Sequence, residues 1–143
     1  MSWIYKGREF RDEDIPEGAV GFIYRMQAII SGHAFYYVGK KNFFSNAKVK
    51  LSKKAMPSDK RLKKYKRVLK TSYQNYYSSN DALKSAHKEG YVIQREILMI
   101  CFSKTDLTYQ EVKHQFMLNV LEDDTSLNGN IMGKFYKQSK TNT

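Results

Sequence analysis

The chain has 143 residues, 41% hydrophobic and 14% aromatic, enough for one domain with a packed core. Lys and Arg number 25 against 14 Asp and Glu, and this formal charge of +11 points to a polyanionic partner, most often nucleic acid. No run approaches the roughly 20 apolar residues of a membrane span, the first residues carry acids rather than an apolar signal-peptide core, and no Cys/His spacing suggests zinc.

Residues 1–18 read as an N-terminal extension to a domain at 19–136. A strand is predicted over 19–30, where Val20, Phe22, Tyr24 and Met26 alternate with Gly21, Ile23 and Arg25. Ser31, Gly32 and His33 form a hairpin turn signal. Phe35, Tyr37 and Gly39 then alternate along a second strand, so Tyr24 and Tyr37 fall on paired antiparallel strands and share a face if the register allows. The stretch 40–70 is crowded with Lys and Arg, and Asp59 is its only acid. Residues 40–58 read as a lysine-rich loop. Ser58 or Asp59 can cap a helix over 60–70 with Leu62, Tyr65 and Leu69 as its apolar stripe.

Asn80 or Ser79 caps a second predicted helix, Leu83 and Ala86 face inward, and Gly90 ends it. Residues 91–102 read as a third strand holding Cys101 as a buried, inert thiol. A third helix is predicted over 108–122, with Thr108 and Glu111 spaced as a capping box. A loop with "LNGN" follows, and 137–143 read as a frayed basic tail. The order strand, strand, helix, helix, strand, helix predicts an α+β fold, a small three-stranded antiparallel sheet flanked by helices.

Taken together, "FIY" at Phe22–Tyr24, "YVG" at Tyr37–Gly39, "KRLKKY" with Arg61 and Tyr65, "YYSSNDALKSAHKEG" with Tyr77, "REILMI", Glu111 in "YQEVKHQF" and Asn128 in "LNGN" resemble the GIY-YIG endonuclease superfamily. The likeness is greatest to the phage Seg-type stand-alone homing endonucleases and covers nearly the whole chain. Phe22 stands where the family writes its first Gly, and Ser78 where the phage group has Gly.

The resemblance implies a metal-dependent DNA endonuclease of bacterial host cytoplasm if phage-encoded, acting on duplex DNA, with no membrane partner. Tyr24 would be the general base with Tyr37 beside it, Arg61 the phosphate-binding cation, Tyr65 and Tyr77 positioning groups, and Glu111 the ligand of one Mg2+ or Mn2+. Lys40, Lys41 and Lys48 are alternatives to Arg61 as the cation. Lys40, Lys41, Lys48, Lys50, Lys53, Lys54, Tyr77 and Asn128 would meet the nucleic acid. Site choice would come from loops or from a homodimer, or be loose. Two other readings remain open: a catalytically idle DNA-binding protein of the same fold, and an interaction module for an acidic protein.

Overall fold

The computed structural model describes residues 2–50 and 64–137. Its central strands are β1 (Trp3–Tyr5), β2 (Arg8–Phe10), β3 (Gly21–Ile30), β4 (His33–Asn42) and β7 (Ile93–Cys101). They form one five-stranded sheet in the order β2-β1-β7-β3-β4. The antiparallel trio β7-β3-β4 corresponds to the sheet expected from sequence. The fold is α+β as expected, but the sheet is larger and mixed, because β1 pairs parallel with β7 and β2 pairs antiparallel with β1.

Residues 1–18 therefore supply more than an extension. Lys6 and Gly7 both take positive φ (51° and 80°), which closes a tight hairpin between β1 and β2. That hairpin puts Trp3 and Phe10 into the core. The β3–β4 hairpin closes in the same way: Ser31 and Gly32 have φ of 52° and 82°, and Ile30 pairs with His33.

Alternation along β3 divides the core into two layers. Phe22, Tyr24, Met26 and Ala28 face a layer that includes Trp3, Phe43, Tyr73, and Leu83 and Ala86 of helix α1 (Asp81–Lys88). Ile23 faces the other layer with Val38, Cys101 and Leu107 of helix α2 (Lys104–Met117). Asn80 caps α1 as expected, accepting from Ala82 N and Leu83 N through Oδ1 (3.0 and 3.2 Å). Gly90 ends it in the left-handed region at φ 91°.

Several expectations are corrected. The helix predicted over 60–70 is absent where described: Lys64–Lys70 is a strand, β6, paired antiparallel with β5 (Phe44–Lys50), which itself lies in the expected loop. Tyr65 and Leu69 fit a period of two as well as a helical one, and pairing with residues 44–50 decides for the strand. Tyr65 consequently occupies a strand position, while Arg61, Lys53 and Lys54 lie outside the described residues, as do 138–143 of the predicted tail. The third helix begins earlier than expected, with Ser103 as its cap: Ser103 Oγ accepts from Asp106 N at 3.0 Å. Thr108 and Glu111 are inside the helix, so no capping box forms there. The loop around "LNGN" carries a short pair, β8 (Asn130–Ile131) and β9 (Phe135–Tyr136). Among the described residues no helix is long and apolar enough to cross a membrane.

Candidate active site

Tyr24 on β3 lies opposite Gly39 on β4. A Cβ on Gly39 would sit 2.6 Å from the Tyr24 hydroxyl and 3.0 Å from Tyr37 Cε1. Only glycine lets the Tyr24 ring cross the neighbouring strand. The ring centroids of Tyr24 and Tyr37 are 6.2 Å apart. The register of β3 against β7 shifts at this point: Ile23 pairs with Met99 and Tyr24 with Ile97, leaving Leu98 as an extra residue. Such a bulge bends a strand locally and re-aims its side chains.

Tyr24 is 1% exposed. Its hydroxyl donates to Ser78 Oγ at 3.3 Å and lies 3.3 Å from the Tyr76 hydroxyl. Either hydroxyl can be the donor across that second pair. Ser78 holds a left-handed backbone, φ 74°, and also accepts from Asn80 N at 3.1 Å. Burial, then the nearby Tyr76, pushes the Tyr24 phenol well above its ordinary range. Burial also raises the Tyr37 phenol, helped by Tyr76 and Glu111. Lys41 supplies the cation here, its Nζ 4.5 Å from the Tyr76 ring centroid.

Around the outer edge of β4 the chemistry changes. An edge strand leaves N–H and C=O groups unpaired, and this one is covered group by group. Tyr36 exchanges backbone bonds with Thr125 and Leu127. Asn128 accepts from Val38 N through Oδ1 (3.0 Å) and donates from Nδ2 to Val38 O (2.9 Å), while Gln115 Nε2 donates to the same carbonyl at 3.0 Å. Glu111 accepts from the backbone N–H of Lys40. Lys40 Nζ in turn donates to Thr108 Oγ1 at 3.1 Å.

Glu111, Tyr37, Asn80, Gln115 and Asn128 line a polar cleft of about 260 Å³ beside this edge. Burial raises the Glu111 carboxyl above the ordinary carboxylate range, against the pull of the Lys40 charge and N–H. A carboxylate held this way gains from a cation in the cleft. The lining is oxygen-rich and hard, a donor set that suits a divalent ion keeping several of its waters. Among the described residues no three His, Cys, Asp or Glu side chains gather as a metal cluster, and Glu111 is the carboxylate that lines this cleft.

The structure thus brings together Tyr24, Tyr37, Glu111, Lys40 and Lys41. It does not bring Tyr77 with them. That ring stacks on His87 at 3.8 Å and lies 4.2 Å from the Arg95 guanidinium. Asn128 is 2% exposed with its amide bonded to Val38, so it braces the strand edge rather than offering a free group to nucleic acid. Sequence reasoning missed Tyr76. The doublet "YY" offered two adjacent tyrosines, and the fold turns the first toward Tyr24.

Residues 3–139 match the family model SegE_GIY-YIG, described as "Putative endonuclease segE, GIY-YIG domain". No curated protein and no solved structure matches the chain.

Proposed function

Because the chain belongs to the SegE-type GIY-YIG family, a family of nuclease-type enzymes, we propose that it is a metal-dependent endonuclease that hydrolyses phosphodiester bonds in duplex DNA. The observation that carries this reading is the meeting of Tyr24, Tyr37 and Lys41 at one end of β4 with the Glu111 cleft along its edge.

In the proposed reaction a water oxygen bonds to phosphorus while its proton passes to the Tyr24 phenolate, and the bond from phosphorus to the leaving oxygen breaks. Burial favours the neutral phenol, so the phenolate needs help. The Ser78 and Tyr76 hydroxyls can both turn to donate to it, and Lys41 adds positive charge beside Tyr76. Tyr37 would orient the water. Arg61 or Lys41 would neutralise the scissile phosphate. Glu111 would hold one Mg2+ or Mn2+, which would supply Lewis-acid stabilisation of the leaving oxygen. The β5–β6 ribbon would bind the DNA backbone with Lys48 and Lys50, since a two-stranded ribbon fits a major groove.

One observation favours an alternative, a protein of this fold that binds DNA without cutting it: Tyr24 is almost fully buried. Supercoiled plasmid incubated with Mg2+ decides between them. Nicking or linearisation by the wild type, reduced at least 100-fold in Tyr24→Phe with DNA binding and melting temperature nearly unchanged, supports the nuclease. Binding without cleavage by the wild type would select the idle binder.

A further inference from the structure

Arg95 is charged, 4% exposed and placed third in β7, on the same face as Tyr24. Its guanidinium lies between two aromatic rings, 4.8 Å from the Trp3 centroid and 4.2 Å from that of Tyr77. Its Nη1 donates to two carbonyls of one turn, Gln74 O at 2.8 Å and Tyr76 O at 2.9 Å. The Trp3 indole donates to a third, Tyr73 O, at 2.8 Å. Two buried side chains from β1 and β7 therefore hold, from outside, the backbone of a short 3-10 turn (Tyr73–Asn75) whose own bonds run from Asn75 N to Ser72 O (3.0 Å) and from Tyr76 N to Tyr73 O (3.1 Å).

The end of that turn is Tyr76, whose hydroxyl meets Tyr24 and whose ring stands edge-on to the Tyr24 ring at 5.8 Å. Charged donors make hydrogen bonds about twice as strong as neutral ones, and the flat guanidinium packs on aromatic faces as a compact ammonium does not. Burying a guanidinium is costly unless it does such work.

We propose that Arg95 is a positioning residue: by clamping the Gln74 and Tyr76 carbonyls it sets the Tyr76 hydroxyl against Tyr24. The catalytic consequence rests on the nuclease reading above; the geometric coupling does not. Lys at this position keeps the charge but lacks the planar guanidinium that meets the Trp3 and Tyr77 rings while its Nη1 bonds both carbonyls.

The test uses the full chain as Arg95→Lys and Arg95→Met, with tyrosines labelled at 13Cζ and assigned by Tyr24→Phe, Tyr76→Phe and Tyr36→Phe. Arg95→Lys is expected to move the Tyr76 and Tyr24 resonances and leave that of Tyr36, in the opposite core layer, in place. On a duplex oligonucleotide with Mg2+, kcat is expected to fall at least 10-fold with KM within about threefold. In the Tyr76→Phe background the same change is expected to cost less than threefold. Where Arg95→Met loses its fold, the folded Arg95→Lys carries the test. Unmoved Tyr24 and Tyr76 signals in folded Arg95→Lys would overturn the proposal whether or not the wild type cuts DNA. An equal loss of kcat in both backgrounds would also overturn it, because it would show that Arg95 acts independently of Tyr76. A wild type that fails to cut, with the two signals moving, would keep the clamp and refute only the nuclease reading.

Discussion

Glu111 has two jobs that pull in different directions. It accepts the Lys40 N–H at an open sheet edge, a structural role, and it places a half-buried charge beside a polar cleft. The sequence suggested a third role, a helix cap, and the early start of α2 at Ser103 removes it. Gln keeps the acceptor oxygen for Lys40 and discards the charge. Because the Glu111 carboxyl is raised above its unfolded value, its ionisation opposes folding. Stability is full below the unfolded value near 4.5 and falls as pH rises through the folded one. Glu111→Gln should therefore melt at neutral pH no lower than the wild type. Added Mg2+ should raise the wild-type melting temperature, because a ligand that binds only the folded state stabilises it, and should leave that of Glu111→Gln unmoved. Cleavage should drop by at least 100-fold. A Mg2+ response retained by the Gln protein would remove Glu111 as the ligand.

Among elements, the β5–β6 ribbon was the hardest to read and bears most directly on DNA binding. Leu62, Tyr65 and Leu69 recur at helical spacing, yet Tyr65 and Leu69 also fit a period of two. Local pattern could not decide, and pairing with residues 44–50 did. The β3–β4 hairpin was legible because its alternation, its Ser-Gly turn and the Gly39 opposite Tyr24 all agree. Strands β1 and β2, three residues each, are too short to show a period, and their place in the sheet depends on a distant strand, β7. In the candidate site, Tyr24, Tyr37 and Glu111 are residues that motif spacing already named. Tyr76, Ser78 and Arg95 could not, since their roles arise from one turn and the strand behind it.

The ribbon register sets Lys48 opposite Lys66 and Lys50 opposite Lys64. Like charges at directly opposite positions disfavour a sheet pair, and an anion bound across them would offset that. Changing all four to Gln should leave the melting temperature unchanged or higher. It should also flatten the salt dependence of DNA binding, by up to about 0.9 in log–log slope for each phosphate that the ribbon no longer neutralises. An unaltered slope would show that the ribbon stays off the DNA backbone.

For the molecule as a whole, charge and tyrosine burial compete at high pH. The sequence pI is about 9.6, so alkali relieves the self-repulsion of a chain with a net +11. That effect alone would stabilise the fold as pH approaches 10. Opposing it are tyrosines whose phenols are held protonated inside. Tyr36 is pushed up to about 12 by burial and the neighbouring Asp123, and Tyr73 to about 12 by burial and its bond to Asp12. Tyr24 and Tyr37 are raised as well, again chiefly by burial. Each of these groups lies above its unfolded value near 10, so its contribution is complete below pH 10 and is lost as pH rises toward the folded value. Between those limits the folded state retains protons that the unfolded chain has released. Stability then falls by up to about 1.4 kcal/mol per pH unit for Tyr36 and for Tyr73. Relief of surface repulsion is screened by salt, whereas burial of the phenols is not, so the tyrosines should win. Urea midpoints at moderate salt should hold steady from pH 7 to about 9.5 and decline steeply by pH 11. Phenolate absorbance near 295 nm should lag in the folded protein and appear together with unfolding. Replacing Tyr73 by Phe, which cannot ionise, should make the decline shallower. A midpoint that stays flat to pH 11 would mean that the buried hydroxyls open to solvent without unfolding, and that the core around Tyr24 is looser than its packing against Trp3, Tyr37 and Tyr76 implies.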